Sequence, residues 1–234
     1  MTPEDVKESG SLPRAVVSRG ALREAAVAAV EAGGTVADLR ADAFGHGARE
    51  AARVVHDAGV SRVVVDDQES ATALRREGID AVTDDTADIN SVILYGLPGS
   101  EQRPAMTLTG RILSYKQLRA GEAVSYGYTH RAEEDTTIAL VTGGYAQGIV
   151  RALGNRAVVG VGGVLRPIVG RVAMDVCVID LQSPDLASES EEEVVYFGSG
   201  PAESELAAWA RITGMRPSEL VTVAGMKAVR SWTA

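Results

Sequence analysis

Residues 36–49 read VADLRADAFGHGAR and join a strand-like run to a helix-like run across a glycine-rich turn. Thr35–Leu39 has the short apolar pattern of a buried strand, and Gly47–Ala58 has the apolar spacing of a helix. A glycine stands on each side of His46, which permits a sharp change of backbone direction there. We therefore expect a strand, a tight turn and a helix, in that order.

The same alternation of strand and helix extends over residues 1–97. The other predicted elements are the helices Ala21–Ala32 and Gln68–Arg76 and the strands Ser61–Val65 and Ser91–Tyr95. Strands that alternate with helices of this length are typical of βαβ units with parallel pairing. We predict an α/β domain over residues 1–97.

Residues 98–234 have a different pattern, in which short strands alternate with turn residues. The predicted strands are Met106–Ile112, Thr136–Val141, Ala157–Val161, Val164–Val169, Asp175–Leu181 and Glu193–Phe197. One helix, Glu203–Ile212, is predicted near the end. This pattern indicates an antiparallel β-domain, either a small barrel or a sandwich.

Composition limits the classes of function. The chain has 234 residues, 45% of them hydrophobic, and a net charge of −9, which argues against a nucleic-acid partner because phosphate binding needs a clustered basic surface. The acidic run Glu189–Glu193 is predicted to be a solvated loop, and the single Cys177 excludes an internal disulfide framework. No apolar run is long enough to cross a bilayer and no signal-peptide pattern begins the chain, so we expect a cytoplasmic protein without a membrane partner.

Four longer stretches have distinctive sequences. They read ADAFGHG at residues 41–47, LRAGEAVSYG at 118–127, GYAQG at 144–148 and PIVGRVAMD at 167–175. In this order they resemble the motifs of the alanine racemases, a family of pyridoxal-phosphate-dependent enzymes with a (β/α)8 barrel followed by a β-domain. The resemblance covers nearly the whole chain and implies membership of that family.

The resemblance also implies a barrel that has lost part of its wall. A (β/α)8 barrel needs roughly 200 residues or more, whereas only residues 1–97 precede the β-domain here. The family pattern follows the early barrel strands, breaks near Val82–Ile89 and resumes at residues 93–96 (ILYG). We expect a truncated β/α barrel arc with open strand edges and an uncovered apolar inner face.

By the same resemblance, the two catalytic positions of the family carry substituted residues. Arg40 stands where the family has the lysine that holds the cofactor as a Schiff base, and a guanidinium is a protonated, poor nucleophile. Residues 125–130 (SYGYTH) place His130 where the family has its catalytic tyrosine. Histidine is a competent base near neutral pH, but without the cofactor as electron sink it has no acidified proton to remove.

The family's cofactor and substrate positions are altered or ambiguous. Phe44 lacks the hydroxyl that a tyrosine would offer to the cofactor phosphate, and residues 90–93 read NSVI where the family has R-x-G-I, which places Asn90 and Ile93 at cofactor positions. The resemblance puts Tyr145, Met174 and Asp175 near the substrate. Met174 is alternatively a core residue, and Asp175 a local cap or ion-pair partner. We expect no bound cofactor and no metal.

These substitutions predict an alanine-racemase-like protein that is catalytically inactive and acts as a dimerising, regulatory or binding subunit. The alternative is an active pyridoxal-phosphate-dependent amino-acid racemase that uses atypical residues. In the family each active site joins one subunit's barrel to the partner's β-domain, which implies a homodimer here, or a heterodimer with a full-length racemase.

Overall fold

A computed structural model describes residues 12–125, 127–184 and 193–234. The chain forms two compact units, one made of Ala15–Met106 with Pro217–Met226 and Arg230–Ala234, and the other mainly of Thr107–Arg216. The predicted domain boundary after residue 97 stays a prediction. Apart from its last residue, the predicted acidic loop 189–193 lies outside the described residues. Over the described ranges, no helix has the length and apolar character needed to span a membrane.

The α/β unit contains a three-stranded parallel sheet in the order β2, β3, β4. From its first strand to β4, the chain forms the elements β1 (Arg14–Ser18), α1 (Arg19–Glu31), β2 (Val36–Asp38), α2 (Ala48–Asp57), β3 (Arg62–Val64), α3 (Gln68–Arg76) and β4 (Ala81–Val82). Strand and helix alternate with parallel pairing, which confirms the predicted truncated arc of β/α units.

Side-chain caps determine where two of these helices begin. The Ser18 hydroxyl oxygen accepts a hydrogen bond from the Ala21 N–H at 3.1 Å, at the start of α1. The Asp67 carboxylate accepts from the Ser70 N–H at 2.8 Å, at the start of α3. Each cap satisfies an N–H group that has no partner within its own helix.

The prediction of a strand at Ser91–Tyr95 is wrong, because Ser91–Leu94 forms the short helix α4. The Asn90 side chain caps this helix. A strand here would need free hydrogen-bonding groups along the outer edge of β2, yet the Val36 carbonyl already accepts from the Ile89 N–H at 3.1 Å. The helix satisfies the backbone of these residues locally.

The second unit is a closed antiparallel barrel of six strands. Its strands run in the order β12, β9, β10, β11, β8, β5, and β12 also pairs with β5. They are β5 (Met106–Leu118), β8 (Thr136–Thr142), β9 (Val158–Val161), β10 (Val164–Val169), β11 (Val176–Asp180) and β12 (Glu193–Phe197), and a hairpin of β6 (Ala123–Val124) and β7 (His130–Arg131) is separate. The predicted barrel or sandwich is thus a barrel, and closure leaves it without exposed strand edges.

The barrel core is filled by the inward-facing side chains of the strands and by one helix. Cys177 lies in β11 and is buried. The hydroxyl of Tyr196 donates to the Thr142 carbonyl at 2.7 Å. Helix α5 (Glu205–Thr213) adds the fully buried Trp209, which packs edge-on against an aromatic ring of β12. The aromatic contacts and the buried hydroxyl bond fix this side of the barrel.

The C-terminal residues add two elements that the sequence patterns did not predict, α6 (Pro217–Lys227) and β13 (Val229–Thr233). Helix α6 packs directly on the glycine-rich turn of the α/β unit. A Cβ atom at Gly45, where φ is +78°, would lie 2.6 Å from the Thr222 carbonyl oxygen. Only glycine therefore fits the turn at this contact.

Candidate functional site

The turn Arg40–Phe44 has a left-handed backbone. Residues 41–44 have φ values between 52° and 55°, although none of them is glycine. A left-handed conformation costs an ordinary L-residue roughly 1–2 kcal/mol, so a run of four persists only where the surroundings hold it. The turn follows β2 directly and leads into α2, as expected for the stretch 36–49.

Two carboxylates hold the start of this left-handed turn. Asp66, just beyond β3, accepts hydrogen bonds from the N–H groups of Ala41 at 2.9 Å and Asp42 at 3.3 Å. The side chain of Asp42 in turn accepts from the Ala48 N–H at 2.7 Å, at the beginning of α2. Backbone donors that the unusual conformation leaves without a helical partner are satisfied in this way.

Arg230 from strand β13 holds the end of the turn. Its guanidinium contacts the Asp42 carboxylate at 2.8 Å and donates to the Gly45 carbonyl at 2.9 Å. A Cβ at Gly47 would lie 2.9 Å from the same guanidinium. The C-terminal strand therefore stabilises a turn near the opposite end of the sequence.

His46 supports the turn from the inside. Its side chain is fully buried, and Nδ1 lies 2.9 Å from the Ala43 carbonyl oxygen and 3.1 Å from the Phe44 carbonyl oxygen. Because both neighbours are acceptors, Nδ1 carries the hydrogen. The ring stacks on Tyr95 at 4.6 Å. Burial lowers the pKa of His46 from 6.5 to about 4, so the imidazole is neutral at physiological pH.

The guanidinium of Arg40 is engaged by Asp38. Its Nε and Nη2 atoms donate to the two carboxylate oxygens at 2.8 and 2.6 Å, and the Arg40 backbone N–H adds a third bond at 3.0 Å. Burial acts to raise the pKa of Asp38, but the contacts with Arg40 outweigh it and leave that pKa below its usual value. Arg40 thus forms a bidentate ion pair within its own turn.

Asp38 was missed by sequence reasoning, although a signal for it was present. An aspartate side chain often accepts a hydrogen bond from the backbone N–H two residues further along the chain, in an Asx turn. The Asp38 carboxylate accepts such a bond from the Arg40 N–H just after β2, and this turn brings it to the Arg40 guanidinium. An acidic residue two positions before Arg40 was therefore readable as its partner.

The remaining predicted cofactor positions have local roles. The ring of Phe44 lies 5.1 Å from that of Tyr95, and the Tyr95 hydroxyl donates to the Asp38 carbonyl at 2.9 Å. Asn90 caps α4, and the side chain of Ile93 is 39% exposed. Burial raises the pKa of Tyr95 well above its ordinary value. Tyr95, which was not predicted as a site residue, is the aromatic centre against which Phe44 and His46 pack.

His130 lies in the small hairpin of the barrel unit, paired with Val124. Its Nε2 atom is buried and has no hydrogen-bond partner within the described ranges. The residue lines a cavity of about 700 Å³ together with Asn155 and Asp180. Residue 126 of the SYGYTH motif lies outside the described part of the chain.

Tyr145 and Met174 are adjacent on the surface of the barrel unit. The Tyr145 N–H donates to the Ala173 carbonyl at 2.9 Å, and the side chains of Tyr145 and Met174 are 41% and 55% exposed. The Arg151 guanidinium stacks over the Tyr145 ring at 5.2 Å. Met174 is therefore not a core residue, and backbone hydrogen bonds join its segment to that of Tyr145.

Asp175 is held by local hydrogen bonds, and its predicted place near the substrate stays a prediction. Its carboxylate accepts a hydrogen bond from Gln147 at 3.1 Å, and the Gln147 side-chain oxygen accepts from the Gly144 N–H at 2.8 Å. The carbonyl of Asp175 also accepts from the Gly143 N–H. These bonds hold the loop after β8 in place.

The arc of parallel β/α units and the six-stranded antiparallel barrel define an α/β plus all-β protein. Residues 105–232 match the family model described as the alanine racemase C-terminal domain, which is more than half of the chain. The chain therefore belongs to the alanine racemase family, as the motifs of the sequence implied.

Curated relatives match over about half of the chain. Alanine racemases of Mycolicibacterium vanbaalenii and Mycobacterium avium are 40% and 43% identical over 131 and 121 residues, or 56% and 51% of this chain. The matched parts are 34% and 31% of those proteins. The chain thus spans about a third of the length of the curated relatives it matches.

Solved structures share the fold. The alanine racemase of Streptomyces coelicolor A3(2) aligns with a TM-score of 0.80 at 20% identity, covering 97% of this chain and 99% of that one. The alanine racemase of E. faecalis aligns with a TM-score of 0.78 at 19% identity, covering 94% and 98%. At this identity the likeness concerns the fold alone.

Proposed function

We propose that this protein is a catalytically inactive alanine-racemase-like subunit that binds a partner chain instead of catalysing racemisation. The observation that supports this most strongly is the bidentate pair of Arg40 with Asp38, at the position that the family resemblance gives to the cofactor-bearing lysine. A guanidinium that stays charged beside a carboxylate does not attack an aldehyde.

Pyridoxal phosphate does not fit the residues of this turn. Attachment needs a neutral amine, and the lysines of the chain are Lys7, Lys116 and Lys227, none of which belongs to the turn. Phe44 offers no hydroxyl to a phosphate, and the nearby hydroxyl of Tyr95 is used by a backbone carbonyl. We propose that no cofactor resides here.

The proposed partner is a second copy of this chain, or alternatively a full-length racemase. Tyr145 and Met174 support it, because adjacent exposed apolar side chains are typical of interaction surfaces. The net charge of −9 supports the absence of a nucleic-acid partner, and we propose a cytoplasmic location.

The partner proposal is tested by Met174→Lys, with Leu113→Lys as the matched control because Leu113 is similarly exposed at 42%. Light scattering over a dilution series is expected to give a dimer for the wild type and for Leu113→Lys, and a shift to monomer for Met174→Lys. A monomeric wild type at every concentration, or equal behaviour of the two variants, overturns this interface.

The absence of a cofactor attachment is tested by adding pyridoxal phosphate, recording the absorption spectrum, reducing with borohydride and mapping labelled lysines by mass spectrometry. We expect only scattered, substoichiometric labelling. Stoichiometric trapping at one lysine would support the alternative, an active racemase with atypical residues.

A further inference from the structure

The outer edge of strand β2, away from β3, has hydrogen-bond partners although no strand lies beside it. Successive residues of a strand direct their backbone groups to opposite edges. The Leu39 N–H donates to the Val64 carbonyl, and the Thr35 carbonyl accepts from the Arg62 N–H, so the odd-numbered residues face β3. Val36 and Asp38 therefore face the other edge, where a closed barrel would have a further strand.

Residues that follow β4 satisfy this edge of β2. The Val36 N–H donates to the Asp88 carboxylate at 2.7 Å, and the Val36 carbonyl accepts from the Ile89 N–H at 3.1 Å. The Asp38 carbonyl accepts from the Tyr95 hydroxyl at 2.9 Å. The Asp88 carboxylate also accepts hydrogen bonds from the backbone N–H and the hydroxyl of Thr35.

The opposite edge of the sheet, on β4, is covered by a charged side chain. The N–H groups of Val63 and Val65 donate to the carbonyls of Asp80 and Val82, which directs the backbone groups of Ala81 outward. The Arg75 guanidinium donates to the Ala81 carbonyl at 2.8 Å. A charged group at this position discourages the addition of another strand.

The segment between the two edges has to cross the sheet. From β4 past β3 and β2 to the outer side of β2 is three interstrand steps, about 14 Å. The six Cα–Cα steps from Val82 to Asp88 span at most about 21 Å. Right-handed crossovers place the connecting helices α2 and α3 on the same face of the sheet. Each helix is about 10 Å thick, so the segment from Val82 to Asp88 is too short to pass around them on that face. The segment therefore crosses the face without helices.

Contacts along the segment agree with this path. Arg62 of the central strand donates to the Asp85 carboxylate at 3.0 Å, near the middle of the segment. Gln68 donates to the Thr83 hydroxyl at 2.7 Å, at its beginning. Ile89, at its end, is only 4% exposed and fills the space beside Gly34, where a Cβ would lie 2.6 Å from its side chain.

We propose that residues 83–89 form a strap that replaces the missing barrel wall and seals the sheet within one chain. The sequence predicted open strand edges and an uncovered apolar face for the truncated arc. Where the strap and Arg75 form hydrogen bonds with the sheet, the edges and the face are covered instead. By strand register the strap shares its face with Asp38, because Val36 and Asp38 point to the same face and Val36 lies opposite Arg62, which bonds the strap at Asp85. Association of this protein accordingly does not occur through the sheet, whether or not the chain is catalytically active.

The strap is tested with Asp88→Ala in the full chain, with Asp84→Ala as the control. Asp84 is an exposed strap residue without an ion pair or hydrogen bond to any described residue. Amide hydrogen exchange at Val36 and Ile89 is expected to accelerate at least roughly tenfold in Asp88→Ala and to stay unchanged in Asp84→Ala. Equal exchange in the two variants overturns the strap.

A second measurement covers the case in which Asp88→Ala does not fold. In the wild-type protein the Ile89 amide is expected to be protected to an extent similar to that of Leu39, within the sheet. Binding of a hydrophobic dye is expected to be weak, because the sheet face is covered. An unprotected Ile89 amide together with strong dye binding contradicts a sealed sheet.

Discussion

Acidification is expected to destabilise this protein through His46 before its carboxylates titrate. Burial lowers the pKa of His46 to about 4 in the folded state from 6.5 in the unfolded state. Above pH 6.5 both states are neutral at this residue, and stability is unaffected. Below it the unfolded state binds the proton first, so stability falls until the pH reaches about 4. The loss is about 2 kcal/mol at pH 5 and about 3 kcal/mol at pH 4.

The carboxylates act in a lower pH window. A hydrogen bond from Arg19 keeps the pKa of Glu50 below 4.5, and the Val36 N–H keeps that of Asp88 below 3.8. A lowered carboxyl pKa contributes stability above the unfolded value and loses it as the pH falls further. Between pH 5 and 7 the change thus reports mainly on histidine.

Urea unfolding at pH 7, 6 and 5 measures this change. His46→Asn, whose side-chain amide can still donate to a carbonyl, is expected to be less stable at pH 7 and to lose most of the pH dependence. His56→Asn is the control, since His56 is exposed on α2. Equal stability of the wild type at pH 5 and 7, or a wild-type pH dependence in His46→Asn, would refute this role of His46.

Two further predictions concern the left-handed turn. Arg40→Lys alone is expected to give no racemisation of alanine, because the phosphate contacts and the barrel wall are altered as well; a yellow, active variant in a coupled alanine assay would refute this. Ala41→Gly is expected to raise the free energy of unfolding by about 0.5–1 kcal/mol, because glycine adopts the positive φ of 52° without strain. The greater entropy of glycine in the unfolded chain offsets part of this gain. Ala28→Gly, in the right-handed helix α1, is the control and is expected to lower it by about 1 kcal/mol in the same urea experiment.

The parts of the fold that depend on local periodicity were predictable. The short strand-like runs between turn residues predicted β10 and β12 with their observed bounds, Val164–Val169 and Glu193–Phe197, and the helix Gln68–Arg76 was also predicted with its observed bounds. Closure of the barrel was not decided, because the pairing of β12 with β5 joins residues far apart in the sequence. Register between such strands is set by tertiary packing.

The parts of the candidate site that depend on distant contacts were not predictable. The strand expected at Ser91–Tyr95 is replaced by a helix because Asp88 and Ile89 already occupy the edge of β2. The support of the turn by Arg230 joins residues from opposite ends of the chain. The ion pair of Arg40 was different, since an Asx turn from Asp38 to the Arg40 N–H is a local pattern that brings the two side chains together.

The central claim, that this member of the alanine racemase family is catalytically inactive, is tested most directly by incubating L-alanine with the purified protein and added pyridoxal phosphate and measuring D-alanine. Preparation from a host that lacks its own alanine racemase excludes contamination. We predict no D-alanine above the level formed by pyridoxal phosphate alone. Turnover comparable to that of an ordinary alanine racemase would contradict the account.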